Sequence, residues 1–375
     1  MAARFLRAIA HTDAARWDAL AGTQPLLRHG FLNALEGHGC IRADYGWSPY
    51  HLLLEDQDQL LGAAPCYIKG NSHGEFVFDW SWAQAFADAG LDYYPKLLLG
   101  VPYTPVCGPR LLAATQSGKL ALIDVLLDVL ERSNVSSLHA NFLLEADRAA
   151  FAQAGFIERC QVQFHLHLNG ALSFDQFLAR FSSKKRKNIR QERAKVAANG
   201  FTFRTLSGAE IGPEDLALAH RFYLNTFDQK ANHAALTLDF FTAVKADLVL
   251  VEAQHGDRPV AGAICFRDEH TLYGRYWGTE AGLEQRLDCT GLHFETCYYQ
   301  GIEYLIQNGL TRFEPGAQGE HKQARGFEPV LTWSAHWIKD RRFREPIAQF
   351  CRRERAQVEL YLDELKTHSP YRQAT

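Results

Sequence analysis

At 375 residues the chain exceeds what one hydrophobic core organises, so two domains are expected. Its 47% apolar and 22% charged residues exclude long disordered tails, and a net charge of −3 excludes a global pull toward nucleic acid. Eight cysteines, at 40, 66, 107, 160, 265, 289, 297 and 351, form no Cys-x-x-Cys pair, which excludes a zinc knuckle or disulfide framework and reads as reduced, mostly buried thiols.

The opening MAARFLRAIAHTDAARWDAL carries charges throughout and no apolar run long enough for a signal peptide or membrane span, so a cytoplasmic protein is expected. No His-Glu-x-x-His helix and no Gly-x-Ser-x-Gly elbow occurs anywhere in the chain. From His51, HLLLEDQDQLLGAAPCYI reads as a strand, a polar turn and a second strand entered through Gly62. Phe76 to Tyr103 holds eight aromatics and reads as core or as a groove wall for a sugar or acyl chain, with His73, Glu75 and Asp79 as polar contacts. KLALIDVLLDVLERSNV from Lys119 has helical periodicity and leads into the strand SSLHANFL, the short helical AAFAQAGF and the alternating strand QVQFHLHL. His165 and His167 share a face of that last strand, and without a third ligand nearby they read as structural; no metal site is expected.

A domain boundary is expected at Asn169-Gly170, giving domains over 1–168 and 169–345 and a closing helix over 346–375 with Pro346 in its first turn. RFSSKKRKNIRQERAK, Arg180 to Lys195, holds eight Lys or Arg against one Glu, with Ser182 and Ser183 placed to cap a helix. Such a helix repels itself unless anions are near, so Lys184, Lys185, Arg186 and Arg190 are candidates for seating a polyphosphate or RNA backbone; a solvated surface is the plainer alternative. LVLVEAQHGDRPVAGAICF from Leu248 repeats the first hairpin, Leu54-Glu55 matching Val251-Glu252 and Gly62 matching Gly262. In the strand LYGRYWGTE, a period of two puts Tyr273, Arg275 and Trp277 on one face and Leu272, Gly274 and Tyr276 on the other. LHFETCYYQGIEYLIQNGL is a helix ending at Gly309, followed by TRFEPGA, HKQARGF and the strand VLTWSAHWI. Both halves therefore run helix, strand, short segment ending Gly-Phe, strand, with corners at Gly155-Phe156 and Gly326-Phe327.

Within FEPGAQGEHKQARGFEP, Gly316 and Gly319 allow close backbone approach and can turn N–H groups toward an anion, with Lys322 and Arg325 adding charge three residues apart. A plain pairing of Glu314 with Lys322 across the turn is the alternative.

The element order of each half resembles the GNAT acyltransferase fold, and two in tandem resemble the FemAB class. GWSPYHLLL, SHGEFVFDWSWA, FSSKKRKNIRQERAKV, LYGRYWGTE and EPGAQGEHKQARGF are similar to FemAB-like proteins of peptidoglycan biosynthesis or recognition, over Trp17 to Arg372. The resemblance implies an α/β (α+β) fold of tandem GNAT-like domains with mixed, mostly antiparallel sheets flanked by helices. It implies transfer of an acyl or aminoacyl group to an amine, with a cell-wall precursor as acceptor. Arg275 and Tyr276 would lie at the opening where the acyl donor enters, and Lys322 best matches a lysine that contacts phosphates of a cell-wall nucleotide precursor. Amine acylation needs a base, for which Glu314, Glu320 and His321 are the candidates.

No tightly bound cofactor is expected; the donor would be a co-substrate, aminoacyl-tRNA or acetyl-CoA. QRLDCTGLHFE keeps only Gly291 of the glycine pattern that cradles a CoA pyrophosphate, which favours aminoacyl-tRNA and makes tRNA a candidate partner. DNA is not expected, and any membrane contact would be transient and at the surface. The rivals are an acetyl-CoA-dependent N-acetyltransferase of a small amine and a non-catalytic module that binds a cell-wall precursor or RNA.

Overall fold

The computed structural model describes residues 2–57, 59–230, 232–317 and 319–372. The chain forms two compact units, residues 1–162 with 331–362, and residues 163–330 with 363–375. Among the described residues no helix is long and apolar enough to cross a membrane.

In the first unit, β1 (Ala2–Leu6), helices α1 (Ala14–Ala21) and α2 (His29–Gly37), and strands β2 (Trp47–Pro49), β3 (His51–Asp56), β4 (Gln59–Ala64) and β5 (Cys66–Lys69) come first. Helix α3 (Trp80–Asp88), β6 (Lys96–Leu99), α4 (Gln116–Arg132), β7 (Ser137–Leu143) and α5 (Glu145–Gln153) follow. The expected hairpin is β3–β4, a small antiparallel sheet with β1. Pro65, with no N–H to donate, separates β4 from β5, which pairs with β6; β6 then runs parallel to β7. Thr115 caps α4 by accepting from the Gly118 N–H, and Leu122, Ile123, Leu126 and Leu130 bury one helix face against the strands.

The chain passes into the second unit along β8 (Ile157–His167), whose residues 163–167 belong there. Helices α6 (Phe174–Ala179) and α7 (Ser183–Ala198), β9 (Phe201–Ser207), α8 (Pro213–Gln229) and α9 (Leu238–Ala243) precede the hairpin β10 (Leu248–His255) and β11 (Arg258–Arg267). Strand β12 (Thr271–Thr279) is followed by a helix in three parts: α10 (Leu292–Phe294), a π turn Glu295–Tyr299, and α11 (Gln300–Asn308). Strand β13 (Arg312–Glu314) and a 3-10 helix, Glu320–Arg325, complete it. The strand order is β8-β13-β12-β11-β10-β9, antiparallel except for β12 beside β13.

Both hairpins of the expected repeat are present, offset by one residue. Gly62 stands opposite Leu54 and Gly262 opposite Glu252, because the strands bulge at different points, between Leu54 and Glu55 and between Ala253 and Gln254. The Gly-Phe corners fall where expected, Gly155 and Gly326 both adopting positive φ before β8 and before β14 (Glu328–Ile338).

The compact units divide the chain differently from the sequence boundaries. Asn169 and Gly170 do form a left-handed break, yet the units part at 162/163, and 331–362 returns to the first unit. There β14 pairs with β7 from Trp333↔Leu143 to Ile338↔Ser137, while in the second unit β13 pairs with β8 through Phe313↔Leu166. The strand that ends the second half of the sequence thus pairs in the first unit, and the end of β8 pairs in the second. The last helix, α12 (Arg341–Thr367), begins five residues before Pro346, because the Asp340 carboxylate accepts from the Arg342 N–H and starts it early.

The aromatic region after Phe76 divides: Trp82, Phe86 and Tyr93 are buried with Ile338, Ile347 and Cys351, while Phe78 and Trp80 are exposed. Glu75 and Asp79 line no open groove wall but close on the buried Lys96 ammonium, at 2.9 and 2.5 Å, with Ser72 at 2.8 Å. A buried charge paired and hydrogen-bonded in this way anchors β6.

Strand β12 touches α8 backbone to backbone: a Cβ at Gly278 would stand 1.9 Å from the Phe222 carbonyl oxygen and 2.8 Å from Thr226 Oγ1. Gly278→Ala should therefore lower stability by about 1–3 kcal/mol, read as a fall in Tm. Gly30→Ala, on a helix with nothing within 4 Å of the added methyl, should instead hold or raise Tm.

Candidate functional site

Parallel pairing of β12 with β13 covers three rungs, Thr271↔Arg312, Leu272↔Phe313 and Tyr273↔Glu314, and stops. The next residue, Pro315, has no N–H to extend the ladder. Gly274 passes close to it, since a Cβ there would stand 3.2 Å from Pro315 Cα. Beyond this point Gly274–Trp277 and Pro315–Ala317 both line one cavity of about 310 Å³.

Arg275 is the extra residue of a β-bulge, for Gly274 faces Cys265 and Tyr276 faces Ile264. The bulge breaks the expected alternation, so Arg275, Tyr276 and Trp277 all reach the cavity. The π turn in the helix after β12 does the same for His293, Cys297 and Tyr298. From the segment after β13 come His321 and Lys322, and from the residue after α8 comes Lys230.

Lys322 dominates the electrostatics. It is 2% exposed, its ammonium donates to the Gly316 carbonyl at 2.8 Å, and no carboxylate lies within ion-pair distance among the described residues. Burial pushes it down to about 8. No Asp or Glu lines the cavity among the described residues, whereas Lys230, Arg275 and Lys322 do. Burial, then His321, Arg325, Lys230 and Lys322, push His293 down to about 4, so its ring is neutral at pH 7. His321 is also lowered, by burial and then by Arg325 and Lys322, and its Nε2 lies 2.9 Å from the Tyr298 hydroxyl. Burial holds that phenol protonated.

Both glycines of the turn take backbone conformations that favour glycine, but what Gly316 turns to the site is a carbonyl rather than an N–H. Gly316 has φ +93° and offers its carbonyl to Lys322; Gly319 has φ +116° and leaves room for the His321 ring, whose Cε1 would stand 2.4 Å from a Cβ. Arg325 is engaged elsewhere, pairing with Glu192 at 2.5 Å, stacking on Phe294 and donating to the His321 carbonyl at 2.7 Å. It positions His321 and does not line the cavity. Glu320 is exposed outside the cavity lining. Glu314 is buried behind the cavity, with Arg312 Nη2 3.1 Å from Oε1 and Oε2 accepting no hydrogen bond among the described residues. His165 Nε2 is 4.0 Å away, but burial pushes that ring down to about 3, so the contact is between a carboxyl and a neutral imidazole. Glu314 therefore neither pairs with Lys322 nor faces its cavity.

Helix α7 is less naked than its composition. Ser182 is the N-cap residue without a side-chain cap bond. Arg190 pairs with nearby Asp175 at 2.9 Å, while Arg193 pairs with Glu295 and Glu303 at 2.9 Å and Lys195 with Asp288 at 3.2 Å, acids supplied from far along the chain. Lys184, Lys185, Arg186 and Lys187 have no carboxylate at ion-pair distance among the described residues. Arg186, Lys187 and Arg190 line a shallow hollow that shares no residue with the Lys322 cavity.

His293, Tyr298 and Lys230 were not singled out by sequence, and Trp277 only as a neighbour of Arg275 on one strand face. The first two lie in LHFETCYY, read only as part of a helix, and a π turn leaves no periodic signature.

The family model FemAB-like, described as peptidoglycan biosynthesis/recognition, matches residues 8–373. No curated protein matches the chain. Among solved structures, FemX is similar at 10% identity and TM-score 0.55 over 93% of this chain and 99% of that one. The C-terminal domain of a putative lysylphosphatidylglycerol synthetase from Agrobacterium fabrum is similar at 8% identity and TM-score 0.56, over 89% and 93%. L-PGS from Bacillus licheniformis is similar at 10% identity and TM-score 0.50, over 91% and 97%. At such identities these likenesses establish the fold alone, mixed α/β with a mostly antiparallel sheet flanked by helices.

Burial outweighs Arg312 and pushes the Glu314 carboxyl up to about 7. Its folded pKa lies above the unfolded value, so its contribution is fully present below about pH 4.5 and is lost as pH rises through 7. Glu314→Gln removes this titration, so unfolding titrations at pH 5 and pH 8 should show the variant gaining roughly 1–3 kcal/mol on the wild type between them. An equal difference at both pH values would show that the carboxyl is not raised.

Proposed function

We propose that this chain, which belongs to the FemAB-like family, transfers an acyl or aminoacyl group to an amine acceptor in the cavity of its second unit. The observation that carries this is Lys322, a buried cation without a carboxylate partner, set in a cavity that also holds the Tyr298–His321 hydrogen bond. A buried ammonium short of acceptors is poised for negative charge brought or developed by a ligand. Lys322 and Arg275 stabilise the oxyanion that forms as the amine nitrogen attacks the donor carbonyl. The Tyr298 oxygen takes the amine proton while its own proton passes to His321 Nε2 across 2.9 Å. Collapse breaks the carbonyl bond to the donor's oxygen or sulfur, and the relay returns the proton to that leaving group. No protein nucleophile is needed.

Sequence candidates divide accordingly. His321 keeps the base role, now through Tyr298; Glu314 and Glu320 do not share it. Lys184, Lys185, Arg186 and the hollow beside them seat donor or acceptor phosphates, as suits aminoacyl-tRNA or a nucleotide-linked precursor. The family description supports a peptidoglycan precursor as acceptor. A cytoplasmic site of action accords with such precursors, and acetyl-CoA is the rival donor.

The test is amide formation by the purified protein from charged tRNA or acetyl-CoA with peptidoglycan precursors as amines. His321→Asn and Tyr298→Phe should each lower kcat by roughly 10²-fold, and the double variant should fall hardly further, since the two act as one relay. Lys322 must be protonated, so kcat/KM should decline as pH rises through about 8. A protein that binds precursor but forms no amide with either donor is a binding module, and the proposal then falls.

A further inference from the structure

The basic run on α7 contains a single acid, Glu192. Standing three residues after Ile189 and four before Val196, both buried, it shares the inward face of the helix and is turned away from the exposed cations around it. Its two oxygens reach two other segments of the second unit. Oε2 accepts from the Tyr299 hydroxyl of the π turn, and Arg325 donates to both, from Nε to Oε2 at 3.2 Å and from Nη2 to Oε1 at 2.5 Å. Arg325 also donates through Nη1 to the His321 carbonyl at 2.7 Å, with its guanidinium carbon 3.3 Å from the centre of the Phe294 ring. Phe294 in turn stands 5.3 Å from the His321 ring and 6.1 Å from that of Tyr298, centroid to centroid. Gly291 lets α7 come this close, since a Cβ there would stand 3.1 Å from Val196 Cγ2 and 3.4 Å from Glu192 Cγ.

We infer that Glu192 is the positioning residue of the Tyr298–His321 pair: one carboxylate ties the π turn that carries Tyr298 to the 3-10 helix that carries His321, and so fixes the distance a proton crosses between them. The inference rests on the transferase reading of the cavity and adds to it a residue that touches no reacting atom. Tyr298 and Tyr299 are consecutive, one hydroxyl meeting His321 and the other Glu192, so holding Tyr299 sets where Tyr298 lies. Arg325 bonds the carbonyl of His321, so holding Arg325 sets where that residue lies. The 3-10 helix between them is short and ends at Gly326, φ +95°, so its own backbone restrains it weakly. Hydrogen bonds to an ionised carboxylate are short and strong, and a carboxylate that bridges two segments restrains both. Proton transfer needs such restraint, because it is efficient only at hydrogen-bond distance, here 2.9 Å from the Tyr298 hydroxyl to His321 Nε2. Arg193, the next residue of α7, pairs with Glu295 at the start of the π turn and keeps the helix against it.

The experiment compares the full-length protein with Glu192→Gln, which keeps the size and removes the charge, and with Lys195→Ala, which removes an exposed α7 ion pair to Asp288. Two quantities are read: the rate of amide formation, and the ring-nitrogen NMR signals of His321, which report which nitrogen carries the proton. With Nε2 accepting from Tyr298, the wild-type ring carries its proton on Nδ1. Glu192→Gln should shift those signals toward the ones given by Tyr298→Phe, and should lower kcat by about tenfold with KM held within about twofold. In a His321→Asn background it should lower kcat no further, because its effect passes through that ring. Lys195→Ala should leave both readouts unchanged. Should Glu192→Gln not fold, Tyr299→Phe removes one arm by loss of a single hydroxyl, and the same signal shift with a smaller fall in kcat is expected of it. Wild-type His321 signals in the Glu192 or Tyr299 variant, an equal fall in kcat with and without His321, or a loss that Lys195→Ala shares would each overturn the inference. Failure of the transferase reading is separate: a wild type that forms no amide still shows, in the His321 signals, whether Glu192 holds the pair.

Discussion

Strand β13 is three residues long, and its shortness is the constraint on which the second unit's site depends. Pro315 cannot donate the next ladder bond, so the parallel pair opens after Tyr273↔Glu314. The freed backbone then turns through Gly316 and Gly319, both at positive φ, which returns a 3-10 helix carrying His321 and Lys322 to the opening. On the facing strand the bulge at Arg275 turns consecutive side chains the same way. A ladder extended by one more rung would close the cavity and strand the Lys322 ammonium in apolar surroundings.

The first unit shows that such an opening can be filled instead. Its parallel pair, β6 with β7, runs from Leu97↔Leu138 to Leu99↔Ala140, and the place beside the end of β7 is taken by Gly108, bridged to Leu143. Arg110 fills in behind it, fully buried, donating to the carbonyls of Asn141 and Val106 at 2.8 and 2.7 Å. Its guanidinium is satisfied by fixed backbone, where Lys322 has one carbonyl and a cavity. A parallel strand pair ends against a buried, backbone-bonded arginine in one unit and against a cavity in the other, a difference of local filling rather than of fold.

The repeat was legible because it is written in local signals: two hairpins with a glycine at the same place, two Gly-Phe corners, a helix stopped at Gly309. The site was half legible. Gly316, Gly319, His321 and Lys322 sit in one short stretch where turn chemistry and charge coincide. What could not be read is long-range. That β14 pairs with β7 and β13 with β8 leaves no mark in any of these strands, since each partner lies far along the chain. Asp175, Glu295, Glu303 and Asp288 neutralise much of α7 from positions that only the fold brings near. Arg325 reads as an anion binder until Glu192, 133 residues away in sequence, is seen to hold it. A bulge and a π turn each insert one residue, and one residue is enough to change which side chains face a cavity.

Glu314 and Lys322 are both buried ionisable groups a few residues apart, yet their settings assign them opposite parts. Glu314 has Arg312 beside it and no opening before it, so ionising it is a standing cost of the fold and burial pushes its pKa up to about 7. Lys322 has the opening and no counterion, so its lowered pKa is a property that a ligand can reverse. An anion seated there restores the ammonium toward its ordinary value, and near pH 8 binding must then take up protons. By the same linkage a negative charge that develops only in the transition state is favoured more than the neutral carbonyl that precedes it. In the proposed transfer, the cost of burying Lys322 is thereby relieved at the step that forms the oxyanion.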